Sequence, residues 1–541
     1  MYCQASSTTY SYSVWAISSF SKHSSGLASL SIATSIISAV CQPFLAKLSD
    51  VFSRPLLCTI SLVCYTVGYI IILKAPTLAA YVVGNVATSI GSTGLNLLAT
   101  ILCADLVPLK YRGLANGILS APYIVIPWYT AYIVTALSDD KNWRWGYVMY
   151  AIIMPFVMGP AIILLFWLEH RAEKEGLAAA AKPNAHDDGK ITAASPLLSR
   201  DRRVLLAWLE LDGFGLILLG CGWSLLLLPF SLSSGAKGGY NNPSLIAMFA
   251  VGCICLILYP IYEYYFAKYP SAPIRLIKNK TFITAVIIDF IYLLAGYLQL
   301  LYLSSYVVAP YFNNTLTVGL CFGGVVAGLL QWWTRRYKLI QIIGLCIKII
   351  GYGLLVDKNG VHDTGRLVAS QALTGIGGSF SVVGSQVSSQ ASVPHTDVAL
   401  AIALLSLWSG IGSSIGDAIA SAHWGSAMPG NLRHFLPASV NDTQIATFFG
   451  DITTIKEYDY TSEIRQGAIK AYEKTVFLWA AALGLSFIAL IAACFQTNYY
   501  LGNSQNAFDN KDTAGNDVEG GKSTRIQSSS GWQKVLRLWD M

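Results

Sequence analysis

Charge is what this sequence has least of. Only 36 Lys and Arg and 29 Asp and Glu stand among 541 residues, 12% charged in all, against about 25% in soluble globular chains. An ordinary solvated surface cannot be assembled from so few. Also missing are a His, Cys and carboxylate cluster at metal-ligand spacing, a phosphate-cradling Gly-rich loop followed by Lys and Ser/Thr, and a Gly-x-Ser-x-Gly elbow. Neither a resident metal, nor ATP drive, nor hydrolysis has sequence support, and no enzymatic activity is expected. Residues 1–20 are polar and aromatic, without a basic start leading into an apolar centre, so no cleavable signal peptide is expected. Cysteine is present, but Cys58, Cys64, Cys103, Cys221, Cys253, Cys255, Cys321, Cys346 and Cys494 fall inside apolar runs. They read as small buried hydrophobes, not as a disulfide framework.

What is there is apolar. The chain is 54% hydrophobic with a mean hydropathy of +0.51, and runs at 56–73, 145–168, 214–230, 245–266 and 475–495 match the roughly 20 apolar residues that cross a bilayer. The pattern predicts an all-α polytopic membrane protein. Its N-terminal helical half, 1–168, holds six spans: an incomplete first one in 1–20, then 27–46, 56–73, 78–104, 113–136 and 145–168. A polar linker occupies 169–208. The C-terminal part, 209–423, holds spans at 209–230, 243–266, 281–309, 315–333, 339–356, 364–388 and 396–421; an outer loop at 424–474, a fourteenth span at 475–496 and a polar tail at 497–541 follow. The outer loop is too polar to span and reads as either a tether or a lid.

The net charge of +7 does not mark a nucleic-acid surface, because the basic residues sit in short loops between apolar runs. Lys47 and Arg54, Lys110 and Arg112, Arg200 with Arg202 and Arg203, the 268–280 segment, and Arg335 with Arg336 and Lys338 all follow even-numbered spans. By the positive-inside rule those loops are cytoplasmic. The glycosylation acceptors Asn313 and Asn441 then fall outside, whereas Asn279 falls inside and is expected to stay unmodified.

Three constellations stand out. The 46–54 loop sets Asp50 against Arg54 at a cytoplasmic mouth, with a degenerate copy lacking the acid at 328–338, as internal pseudo-symmetry predicts. Asp105, with Lys110 and Arg112 close behind, reads either as a gate latch or as a capped helix end with solvated charges. The 366–424 stretch is apolar enough to cross twice yet rich in Gly, Ser and Gln: Gln371, Gly375, Gly377, Gly378, Gln386, Gln390, a hinge at 393–397, Trp408, Gly410, Gly412, Gly416 and Asp417. Small residues let helices approach in lipid, and polar ones there need partners or a watery cavity.

The 46–54 loop resembles the loop signature of the major facilitator superfamily, with Ala46 and Ser53 where the pattern has glycines. The 375–378 run, Gln386, the 390–395 sequence and the 410–416 helix resemble fungal siderophore-iron transporters of that superfamily, as do 8–12, 33–39, 472–475 and 500–507. The resemblance implies import of ferric siderophore complexes of the hydroxamate type, driven by protons through alternating access. It also implies no cofactor beyond the iron inside the chelate, no nucleic-acid partner, a monomer, and a plasma or endosomal vesicle membrane. The related fourteen-span drug exporters carry an Arg in span four and a Gly-Pro pair in span five. Residues 81–91 lack the Arg and 117–122 lack the pair, which favours the siderophore branch over export. A non-transporting, truncated membrane protein is the third reading, because relatives carry a fuller first span.

A bulky chelate needs a roomy cavity with aromatic walls and hydrogen-bond donors. Tyr292, Tyr297, Gln299 and Tyr302 in span nine, Tyr123 and Trp128 beside Pro122 and Pro127 in span five, and Gln371 and Trp408 are the candidates for the substrate pathway. The tyrosines also read as an interfacial belt. Asp289 and Asp417 are the intramembrane acids expected to carry a proton, with Lys348 a third buried charge. For Asp417, followed by His423, solvation at the interface is the other reading.

Overall fold

The computed structural model describes residues 23–51, 53–126, 143–174, 212–233, 238–267, 270, 273–306, 310–356, 364–450, 455, 458–459, 462–475 and 478–504. Its helices are α1 (His23–Val51), α2 (Arg54–Lys74), α3 (Leu78–Leu106), α4 (Leu109–Ser120), α5 (Trp143–Lys174), α6 (Gly213–Leu232), α7 (Pro243–Tyr265), α8 (Ile274–Ile277), α9 (Lys280–Tyr306), α10 (Pro310–Thr334), α11 (Lys338–Val356), α12 (Thr364–Ala391), α13 (Val398–Phe435), α14 (Asp442–Gly450), α15 (Glu463–Thr475) and α16 (Leu478–Phe495). Among the described residues 12 helices are long and apolar enough to cross a membrane, the last running from α15 into α16. Of the fourteen expected spans, the one at 1–20 lies outside the described residues and the one at 113–136 is described only as far as 126.

Local chemistry sets the helix starts. Thr77 accepts a hydrogen bond from Ala80 N at 3.3 Å to open α3, Asn242 accepts one from Ser244 N at 3.0 Å to open α7, and α2 and α7 carry proline in the first turn. Each device satisfies or removes a donor that the first turn leaves without an intrahelical partner.

The helices form two bundles with matching contacts. In the first, α2 packs on α3 and on α5; in the second, α11 packs on α12 and on α16. The two most extensive crossings between the bundles are α1 on α13 and α4 on α10. Both are made by small residues: a Cβ on Gly117 of α4 would stand 2.7 Å from the carbonyl oxygen of Gly324 in α10, and one on Gly410 of α13 would stand 2.6 Å from Cβ of Ala39 in α1. Backbones meet there because nothing larger fits. The pair α6 and α7 is attached through α6, which packs on α1 and α13. The most apolar windows of α5 and α7 are only 11% buried and face lipid, whereas those of α12 and α13 are 67% and 72% buried and form the centre.

The boundaries differ from the expected ones by a few residues at several ends, as where α5 runs on to Lys174 into the expected linker, and by far more at one. The helix that begins at Val398 does not end near 421 but runs to Phe435, 38 residues in all. At about 1.5 Å per residue that far exceeds the roughly 30 Å hydrocarbon thickness, so its outer end projects from the bilayer. Beyond it, the segment expected to be a polar loop forms α14 and α15. Trp424, Met428 and Leu432 recur every fourth residue and pack with Phe448, Tyr472 and Trp479 into a separate apolar cluster. A helical stripe of this kind holds a helix together although average hydropathy drops along it.

Candidate functional site

Between the bundles lies a cavity of about 80 Å³, lined by Gln42 of α1, Thr93, Asn96, Leu97 and Thr100 of α3, Gln386 and Gln390 of α12, and Ile402, Leu405 and Ser406 of α13. The spacing explains the lining: residues three, four and seven apart share one face of a helix. No acid or base is among these residues. Gln390 is buried, and its Oε1 has no hydrogen-bond partner. The cavity is a neutral surface of amides and hydroxyls, with Leu97, Ile402 and Leu405 as its aliphatic part.

Ionisable groups sit one turn away along α13. Ser409 donates to Asp289 Oδ2 at 3.0 Å, while Asp289 Oδ1, in a side chain only 6% exposed, has no partner. Across from it on α11, Lys348 is 1% exposed; its Nζ donates to the main-chain carbonyl of Tyr292 at 3.2 Å and lies 3.7 Å from the centre of the Tyr292 ring. Further outward on α13, Asp417 is 0% exposed and accepts a 2.6 Å hydrogen bond from Ser31 of α1. That bond ties one bundle to the other. Full burial also sets aside solvation at the interface as the account of Asp417.

On the face that carries the positive loops, Arg54 pairs with Asp105 at 2.8 Å. Arg112 is fully buried and turns elsewhere, donating to the carbonyls of Ala104 at 2.8 Å and Val107 at 3.2 Å at the end of α3. It acts as a helix cap, as cations at C-termini do. His395, in the turn before α13, stands 4.0 Å from Asp105 of the other bundle. Beside it Arg275 pairs with Asp397 at 2.6 Å; burial raises the Asp397 carboxyl above its ordinary range, against the pull of Arg275.

The segment after α16 crosses this face as a strap. Leu109 N and Lys110 N, at the start of α4, donate to the carbonyls of Ser504 at 3.1 Å and Gly502 at 3.0 Å, and Leu501 N donates to the Arg335 carbonyl at 3.0 Å. Arg336 adds a 2.7 Å bond to the Asn498 carbonyl, Tyr337 donates to the Thr497 carbonyl, and the Leu501 side chain is buried with Leu109 and Tyr337. Arg335 takes a left-handed conformation, with φ of 57°, to present its carbonyl there. Glycine usually fills such a position, and another residue there costs about 1–2 kcal/mol.

Two bundles with matched internal packing, joined by two small-residue crossings, are the architecture of one transporter class, and a family model described as Major Facilitator Superfamily matches residues 1–339. The chain belongs to the Major Facilitator Superfamily. Within it, the relatives are fungal transporters of iron compounds and not enzymes, and this chain groups with the fungal siderophore-iron transporters. A siderophore transporter of Zymoseptoria tritici is 37% identical over 547 residues, covering 98% of this chain and 84% of the relative. The siderophore transporter fer7 of Mycosarcoma maydis is 36% identical over 535 residues, covering 95% and 81%. The low affinity heme transporter str3 of Schizosaccharomyces pombe is 51% identical over 517 residues, covering 93% and 81%. The protein is an integral membrane transporter.

In this major facilitator the residues singled out from sequence are dispersed. Tyr292 is buried, and a Cβ on Gly378 of α12 would stand 2.5 Å from its hydroxyl, so it points between helices and not into the cavity. Gln299 and Gln371 are buried with amide atoms lacking partners, Tyr297 is partly buried beside Gly416, and Trp408 packs against the apolar core of the first bundle. None of these lines the cavity. Tyr123 is half-buried on the helical continuation of α4. Trp128 lies outside the described residues, and the side chains of Asp50, Tyr302 and Asn313 do as well. Asn441 is exposed just before α14. The cavity residues Gln42, Asn96 and Ser406 escaped the sequence reading, although Thr93, Asn96 and Thr100 recur at helical spacing on α3.

Proposed function

We propose that this major facilitator imports ferric siderophores of the hydroxamate type, coupled to proton entry. The observation that carries the reading is the charge-free, amide- and hydroxyl-lined cavity between the bundles. Three hydroxamates, each contributing one negative charge, neutralise Fe³⁺, and the resulting complex presents oxygens and amides but no net charge. A neutral polar wall suits such a cargo, because buried polar groups left unpaired are costly and an uncompensated charge costs more. The present cavity is much smaller than a chelate, so the crossings α1 on α13 and α4 on α10 are where the bundles part to admit one. Asp289 and Asp417, buried beside the path, are the proton carriers of this reading, and Asp105 with Arg54 and His395 belong to the cytoplasmic gate.

Heme is the second reading, favoured by the 51% identity to a heme transporter. Heme carries carboxylates that a neutral cavity does not offset. The test is uptake into yeast lacking its own siderophore and heme uptake, with radioiron-labelled ferrichrome and hemin competing against each other. Ferrichrome accumulation that a protonophore abolishes and hemin fails to inhibit is expected. Hemin uptake with no ferrichrome uptake would sink the siderophore assignment, and dye efflux without uptake of either would return the exporter reading.

A further inference from the structure

Among the described residues, Lys348 is the fully buried cation of the second bundle that the transport reading leaves without a task. It lies on α11, which contributes nothing to the cavity, and it has no carboxylate within ion-pair distance among the described residues. Its ammonium is instead parked on Tyr292, bonded to the main-chain carbonyl and seated on the ring, with the ring of Tyr352 5.3 Å away. A lysine without an acid is an expensive occupant of an apolar interior, where a hydrophobic side chain of similar volume would serve packing better.

The acid it lacks is close by. Asp289 precedes Tyr292 by three residues on α9, a spacing that puts the two on the same helix face, and its Oδ1 is buried with no partner. The α11 backbone has little freedom at this point: a Cβ on Gly377 of α12 would stand 2.6 Å from Lys348 N. Any rearrangement therefore falls to the flexible lysine stem. The remaining polar and titratable groups near Asp289 are few. Tyr292 and Tyr297 lie on α9 and Tyr352 on α11; α13 brings Ser409 and, about two turns outward, Asp417; α12 carries only Arg366 near its far end, and α16 only Cys494.

We propose that Lys348 is the internal counter-ion of Asp289, a positioning residue that rests on Tyr292 while Asp289 is protonated and pairs with the carboxylate once the proton has left. The proposal rests on the reading of Asp289 as a proton carrier. The lysine stays a cation throughout. A proton from water on the outer side adds to the Asp289 carboxylate, forming its O–H bond. That bond later breaks as the proton passes to water on the cytoplasmic side, by way of Ser409 and the cavity one turn beyond it, and no change of oxidation state is involved. The arrangement lets an empty carrier reset with its acid ionised, because the bare carboxylate then has a charge to pair with instead of standing alone in low dielectric.

The test uses the full chain in proteoliposomes with radioiron-labelled ferrichrome, comparing accumulation driven by a pH gradient with exchange of labelled for unlabelled chelate at equal pH. Lys348→Met is expected to lose far more accumulation than exchange, and Lys348→Arg to recover accumulation with a displaced pH profile. A packing role would reduce both modes alike. Lys348→Met accumulating with the wild-type pH profile would overturn the proposal. Should the single variant fail to fold, Asp289→Asn/Lys348→Met removes both charges: recovery of folded protein that exchanges but does not accumulate supports the pairing, and failure of the double change to recover folding overturns it. Wild-type accumulation indifferent to the pH gradient would overturn the proton reading itself, a result separate from any behaviour of Lys348.

Discussion

Gln390 shows what a single side chain contributes to the cavity. It is buried on α12, lines the cavity and keeps an amide oxygen without a hydrogen-bond partner. Gln390→Leu preserves volume and removes the amide. The variant is expected to reach the membrane normally and to raise the KM for ferrichrome about fivefold, the equivalent of one net hydrogen bond of about 1 kcal/mol. An unchanged KM with reduced maximal rate would move Gln390 from the cargo path to the machinery of motion. Asn441 tests the opposite property, exposure. Because it stands exposed before α14, and on the outer side by the positive-inside expectation, Asn441→Gln is expected to speed gel migration as much as enzymatic deglycosylation does, whereas Asn279→Gln leaves migration unchanged.

At the level of helices, the two crossings decide whether the bundles can close. A valine at Gly117 would press its Cβ toward the Gly324 carbonyl, which is already only 2.7 Å from that point, and overpacking of this kind costs about 1–3 kcal/mol. Gly117→Val should therefore disfavour the state in which α4 and α10 touch, leaving cytoplasmic cysteine probes with faster access and uptake reduced. The helices themselves were legible in the sequence, since apolar runs and basic loops record where the chain crosses and which way. The end of α13 was not, because Trp424, Met428 and Leu432 form a stripe that averaging over a window conceals. The cavity was half legible. Gln386 and Gln390 stood out in a stretch rich in Gly and Ser, but their companions come from α1, α3 and α13, and one sequence holds no record of which faces of distant helices meet. Tyr292, singled out as an aromatic wall, became the seat of Lys348 for the same reason.

On the scale of the whole molecule, the face that carries the positive loops is joined by three kinds of tie: the Asp105 approach to His395, the α4 on α10 crossing, and the strap of 497–504. A chain ending at Ser504 keeps every described strap contact, whereas one ending at Gln496 loses them all. The first is expected to transport like the full protein. The second should show an inner face that opens too readily, read as faster labelling of a cysteine placed at Ser406 and as leakage of accumulated chelate. Equal labelling of the two would remove the strap from the gate.

The strap also has a consequence for biogenesis. Its partners Leu109 and Arg335 are synthesised long before residues 497–504, and those residues cannot reach them until α16 has been inserted. The first bundle can therefore pack its own helices while the second is still emerging, and the strap between them is among the last contacts to form. Arg335, held in a conformation that costs energy by itself, waits for that moment: its carbonyl acquires the Leu501 partner only when the chain is essentially complete. A chain arrested once α16 is inserted but before 497–504 has emerged would thus carry two bundles with no strap, a state that pulse-labelled protease accessibility can distinguish from the finished transporter.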